Sequence, residues 1–209
     1  MESFLIQGGG YRNLKVYKLA EIIYDLSVIF TERYVRIGSR TRDQMEQAAR
    51  SGKQNIAEGS TASTTSKEME IKLTNVAKAS LEELLLDYED YLRQNRLSQW
   101  DKDHQRTHSL RQYLKSEDFV SNPTRYADQM SAEEYCNLCI TLINQATYML
   151  RRMIEHQQEQ FLQRGGIREQ MYNARLNYRQ RQNYRKNQTA PGQTCQTSPT
   201  RPTSPTDPT

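Results

Sequence analysis

The apolar positions of this 209-residue chain fall into a few long runs with helical spacing. From Leu14 to Ile37, the residues Val16, Ala20, Ile23, Ser27, Phe30, Tyr34 and Ile37 alternate steps of four and three. That is the period of one helix face packed into a bundle seam. Leu19, Ile22, Leu26 and Ile29 widen the face, so this helix is expected to be covered on more than one side, in part by another subunit. Gly38 is expected to end it. Thr41, with Gln44 three residues on, then reads as the capping box of a second helix. Its inward stripe, Met45, Ala48, Ala49, Gly52, Ile56 and Gly59, is built largely from small residues. An interior glycine costs about 1 kcal/mol of helix propensity relative to alanine, so the stripe predicts a closely approaching neighbour.

A further capping box, Thr65 with Glu68, opens a third helix, in which Leu73, Ala77, Ser80, Leu84, Tyr88 and Tyr91 keep the rhythm to about Gln94. Ser131 with Glu134 opens a fourth, carrying Tyr135, Leu138, Leu142, Ala146, Met149 and Met153 inward to about Phe161. Residues 1–122 contain no proline, which permits such long helices. Pro123 falls in the segment 95–130, which reads as an insertion with a short helix from Gln99 to Lys115. The prediction is an all-α chain: an up-down-up-down antiparallel four-helix bundle over 13–163. A flexible leader (1–12) precedes it, and a basic helical extension (164–187) and a disordered Thr/Pro-rich tail (188–209) follow.

Composition narrows the setting. Mean hydropathy is −0.92, and no stretch approaches the roughly 18 apolar residues of a membrane span. A soluble, cytoplasmic protein with no membrane partner is expected. Cys136, Cys139 and Cys195 make an odd set that does not describe a disulfide framework, so a reducing compartment fits. The formal charge is +4, unevenly placed. Residues 164–186 set seven cations against Glu169 alone for a net +6, leaving 1–163 at −2. Concentrated positive charge next to a near-neutral domain points to an acidic partner, nucleic acid above all.

Catalytic chemistry finds no foothold. No Ser/His/Asp arrangement and no carboxylate cluster with metal spacing is present, and Gly8-Gly9-Gly10 lacks the lysine and preceding strand of a phosphate loop. Cys136-x-x-Cys139 and His104-x-x-x-His108 would together make a zinc ligand set. The cysteines, however, fall inside an amphipathic helix as small core residues, and the histidines lie on a polar face. Neither an enzyme, a metal nor a cofactor is therefore expected. The acidic run Glu82, Glu83, Asp87, Glu89 and Asp90 reads as solvated surface, some of it pairing with arginines of a neighbouring subunit.

The candidate contacts are basic. In the extension, Arg168, Arg175, Tyr178, Arg179, Arg181, Tyr184, Arg185 and Lys186 interleave cations for phosphates with tyrosines for bases. Arg36, Arg40 and Arg42, with Arg33, form a second patch at the turn between the first two helices, which an oligomer would repeat. Asn55, Glu58 and Gly59 read as structural: Asn55 bonding across helices, Glu58 binding backbone donors or a basic partner near the helix end.

Asn55-Ile56-Ala57-Glu58-Gly59, then a Ser/Thr loop and Ala79-Ser80-Leu81-Glu82-Glu83-Leu84, resemble a bacterial four-helix bundle family. It includes the proteins encoded in intervening sequences of 23S ribosomal RNA genes and the accessory variability determinant of diversity-generating retroelements. Leu14-Lys15-Val16-Tyr17-Lys18-Leu19-Ala20 is similar to the family's opening and Gln44 through Ala49 to its second helix. The likeness covers residues 12–94 and, more loosely, the fourth helix. The 95–130 insertion departs from the short members. The stretch Phe161-Leu162-Gln163-Arg164-Gly165-Gly166-Ile167-Arg168-Glu169-Gln170-Met171 is similar to a subgroup with a C-terminal suffix. The resemblance implies a homopentamer, nucleic-acid binding (RNA or DNA) and, for the retroelement members, contact with a reverse transcriptase. Two functions are thus expected: a non-catalytic, oligomeric nucleic-acid-binding accessory protein, or a scaffold whose basic extension grips an acidic protein.

Overall fold

The computed structural model describes residues 10–189. The leader through Gly9 and the Thr/Pro-rich tail from Ala190, with Cys195, lie outside the described residues. All regular structure among the described residues is helical: α1 (Lys15–Tyr34), α2 (Arg40–Ala62), α3 (Lys67–Gln94), α4 (Gln105–Tyr113), α5 (Glu117–Ser121), α6 (Ala132–Arg164) and α7 (Ile167–Thr189), with short 3-10 turns at Tyr11–Asn13 and Ala127–Gln129. None of these helices is long and apolar enough to cross a membrane. The chain divides into one compact unit through Arg168 and a second from Glu169 onward.

In the first unit α1 packs on α2, α2 on α3, α3 on α6 and α6 on α1. Their apolar stripes meet in one core. Phe30 lies at its centre, fully buried, with the rings of Tyr34, Tyr88, Tyr91 and Tyr135 around it. The two fully buried tyrosines find acceptors on α1: Tyr88 donates to Ser27 Oγ at 3.0 Å and Tyr135 to the Leu26 carbonyl at 2.9 Å. A buried hydroxyl without a partner would cost on the order of 1–3 kcal/mol, so these bonds fix how α3 and α6 meet α1. The small stripe of α2 performs as expected: a Cβ on Gly52 would come within 2.7 Å of Leu81 on α3.

The structure corrects several expected boundaries. α1 stops at Tyr34, and Val35 is already extended. Gly38 does not cap the helix. It has φ +76° in a turn closed by Ser39 N–H donating to the Arg36 carbonyl at 3.1 Å, where a positive φ favours glycine. Ile37, placed inward by periodicity, is therefore 83% exposed. The Thr41–Gln44 capping box does not form, because Ser39 is the N-cap and its side chain makes no capping bond. At α3 the cap is Ser66 rather than Thr65, its Oγ accepting the Met69 N–H at 3.1 Å. The Ser131–Glu134 box is present in both directions. Toward the end of α6 the deepest positions are Leu150, Ile154 and Gln157, whereas Met149 and Met153 are half-buried. In the insertion the helix expected from Gln99 begins at Gln105, and a second short helix, α5, follows.

The insertion is tied down at both ends. Asn137, only 3% exposed, accepts the Trp100 N–H at 2.8 Å and donates to the Ser98 carbonyl at 2.9 Å. Glu133 accepts the Ser98 N–H at 3.1 Å and Trp100 Nε1–H at 2.9 Å. At the other end Arg33 donates to the carbonyls of Ala127 and Asp128, and Tyr34 donates to the Met130 carbonyl at 2.6 Å. Leu114 and Phe119 of the insertion line a groove with Leu19 and Ile22 of α1. Part of the widened α1 face thus meets this chain's own insertion.

Candidate nucleic-acid interface

α7 carries no broad apolar stripe, and from Met171 to Arg185 its side chains are exposed apart from Ala174. Arg175 and Arg179 are one turn apart, as are Arg181 and Arg185, and the two pairs point to different sides of the helix at 100° per residue. All four are exposed. Tyr178 and Tyr184 are 65% and 67% exposed, and Tyr178 Oη accepts Gln182 Nε2–H at 2.9 Å. Among the described residues Arg175, Arg179 and Arg181 form no ion pair, whereas Arg33, Arg42, Arg93, Arg106, Arg125, Arg151 and Arg152 of the first unit all do. The side chain of Lys186 is not among those described. Arg168, exposed at the end of the first unit, helps hold the Glu68 carboxyl below its usual range, after the larger effects of a backbone hydrogen bond and Ser66.

The second patch is smaller than its sequence suggests. Arg42 lies 3.0 Å from Glu46 and 3.8 Å from Glu32, and Thr31 adds a 2.6 Å bond to Glu46. Its charge is spent joining α1 to α2. Arg33 is drawn into the insertion as described. Arg36 and Arg40 remain exposed at the turn.

Asn55 does not bond across helices as expected. Asn55 Nδ2 bonds within its own helix, to the Ser51 carbonyl at 2.9 Å and Ser51 Oγ at 3.1 Å. Ser51 makes the crossing, 2.9 Å from Ser80 Oγ on α3. Gly59 supplies the close approach, since a Cβ there would lie 3.4 Å from the Glu70 carbonyl oxygen and Leu73 Cβ. Glu58 is exposed and makes no hydrogen bond or ion pair among the described residues, so the backbone or basic partner expected for it is not found there. Along the acidic run, Lys78 pairs with Glu82 and Arg93 with Asp90, each within its own helix. Glu83 and Asp87 line a groove with Arg40 and Asp43, and burial, then Asp90 and Glu83, raise the Asp87 carboxyl.

Cys136 and Cys139 are both buried free thiols, while His104 is exposed, caps α4 and stacks on Trp100. Among the described residues no three potential metal ligands come together. Burial pushes the Cys139 thiol up to about 12 and raises Cys136 further. Both should therefore resist alkylation at mildly alkaline pH in a Cys195→Ser variant, and react once denaturant is added. Fast labelling of the native protein would show that the α3–α6 seam opens.

Comparison of the chain with protein-family models, curated proteins and solved structures finds no match. Sequence reasoning missed Asn137, Glu133 and Trp100, the clamp on the insertion. The signal was faint: an amide at position 137 between two core residues, and the chain's single tryptophan in a polar segment.

Proposed function

We propose that this chain is a non-catalytic, oligomeric accessory protein that binds nucleic acid through α7 and assists a nucleic-acid enzyme such as a reverse transcriptase. The observation that carries the reading is a cluster: Arg175, Arg179 and Arg181 lie exposed within seven residues of α7, in no ion pair among the described residues, beside exposed Tyr178 and Tyr184. Unpaired cations release counterions when they meet phosphates, and tyrosine faces stack on unpaired bases. Arg36 and Arg40 supply a weaker contact that oligomerisation multiplies. Exposed Met69 and Val76, seven residues apart on α3, support a subunit contact, and the family resemblance supports the oligomer and the enzyme partner. In the same proposal the four long helices form an up-down-up-down antiparallel bundle. Their pairwise contacts close a ring, and only residues 35–39 and 63–66 separate α1 from α2 and α2 from α3.

Fluorescence anisotropy of labelled single-stranded DNA and RNA across a salt series tests it. Full-length protein should bind with a steep salt dependence. The variant Arg175→Gln/Arg179→Gln/Arg181→Gln should flatten the log–log slope by about 2, three contacts at roughly 0.7 each. An unchanged slope removes α7 from the interface. No affinity at low salt sinks the reading in favour of α7 gripping an acidic protein.

A further inference from the structure

We infer that the insertion builds a base-binding pocket, which selects nucleobases bearing an exocyclic amine; the inference rests on the nucleic-acid reading above and gives it a second, selective contact. α4, the stretch 126–130 and the first turn of α6 line an open surface recess of about 430 Å³, within the range of roughly 300–1,000 Å³ typical of small-molecule sites. Its walls are flat and apolar: the rings of Trp100, Tyr113 and Tyr126, with Leu110 and Met130. Tyr113 and Tyr126 meet edge to face, centroids 5.9 Å apart and planes at 67°, so two walls stand nearly at right angles. Such walls suit a planar aromatic guest.

The polar groups around the walls favour a base. Glu134 lines the recess with one oxygen uncommitted. Its Oε2 takes both the Ser131 N–H at 3.0 Å and the Ser131 hydroxyl at 2.8 Å, and Oε1 has no partner among the described residues. Those bonds hold the carboxyl below its usual range, so it stays an ionised acceptor at neutral pH. An ionised acceptor beside a flat apolar wall suits the exocyclic amine of cytosine, adenine or guanine, which uracil and thymine lack. Arg106 lines the recess with its guanidinium 5.5 Å from the Trp100 ring centroid. It already pairs with Glu133 at 3.8 Å, but its side chain is 59% exposed and it is the strong cation of the lining, so a phosphate would compete with that pair for it. The Tyr113 hydroxyl, buried at the wall, has no hydrogen-bond partner among the described residues, a state in which buried polar atoms are rarely left. Both ends of the segment are clamped to the bundle, which holds the walls in place before any ligand arrives.

Trp100 is the chain's only tryptophan, so its emission reports on this recess alone. Full-length protein, excited at the red edge of the indole band, is titrated with cytidine, adenosine, guanosine and uridine monophosphates. Saturable quenching by the three amine-bearing nucleotides, with uridine monophosphate at least about tenfold weaker, is the expected result. Glu134→Gln keeps the capping box, since glutamine serves there as well. It should cut that preference to near unity without changing secondary structure. Tyr126→Ala should weaken all the nucleotides together. No saturable change with any nucleotide overturns the pocket, as does quenching without base preference that Glu134→Gln leaves unaltered. If oligonucleotides still bind by anisotropy while Trp100 stays silent, the pocket falls and the α7 reading stands. If mononucleotides quench but oligonucleotide affinity ignores the α7 substitutions, the pocket stands and the α7 reading falls.

Discussion

Replacing Phe30 by alanine should lower the free energy of unfolding by about 3–5 kcal/mol, the largest loss expected from any single change in the bundle. The ring is fully buried. Four tyrosine rings surround it, with centroids at 5.3 Å for Tyr34, 5.0 Å for Tyr88 and Tyr91, and 5.5 Å for Tyr135. They come from α1, α3 and α6, so one side chain fills the space where three helices meet. Alanine leaves a cavity that cannot collapse without breaking the tyrosine bonds to Ser27 and Leu26. Phe30→Leu keeps most of the volume and should cost less than about 1.5 kcal/mol, apart from the ring contacts. Urea unfolding followed by circular dichroism separates the two: the midpoint should fall sharply for alanine with the slope unchanged. A loss under about 1 kcal/mol for alanine would mean the cluster is not the joint of the bundle.

The second large effect comes from adding atoms. Gly52→Val should destabilise by about 1–3 kcal/mol, although valine has the better helix propensity. Even the first added carbon would lie 2.7 Å from Leu81 Cδ2 and 2.8 Å from its Cγ, and Leu81 is fully buried with nowhere to turn. Overpacking therefore outweighs the propensity gain. The signature is coupling: in a double-mutant cycle, Leu81→Ala should relieve the valine, so that the pair costs less than the sum by more than about 0.5 kcal/mol. Strict additivity would show that α2 and α3 part slightly rather than interlock.

The helices themselves were legible because their signal is local. Val16, Ala20, Ile23 and Phe30 announce a buried face over about four turns, and the glycines of α2 announce a close neighbour. What failed were choices among near-equivalent local options. Thr65 and Ser66 both offer a hydroxyl, and only the extended backbone of Ser66, φ −154°, decides which one caps α3. Leu150 and Ile154 step by four just as Met149 and Met153 do, so periodicity alone cannot rank them. Charge misled at Arg42: Glu46 lies one turn along the same helix and could have been paired from sequence, whereas Glu32 comes within reach only when α1 lies beside α2. The insertion was least legible. Its clamp joins Ser98 and Trp100 to residues 33 to 39 positions away, with no repeating pattern to betray it. The extension was legible as charge, but which of its cations go unpaired needed coordinates.

The clamp has a consequence for how such a chain can change over generations. Ser98 and Trp100 are held by Glu133 and Asn137, and Met130 is held by Tyr34. Between these attachment points the bundle holds the segment through Phe119, buried in the core, and the apolar side chains beside it. Doubling the length of a closed loop costs only about 0.6 kcal/mol of chain entropy. Residues 101–126 therefore form a segment open to lengthening or trimming, provided that Phe119, buried in the core, and Leu114, packed against it, keep their cover on the bundle. New binding chemistry could be tried there one graft at a time, so long as each graft keeps that apolar cover.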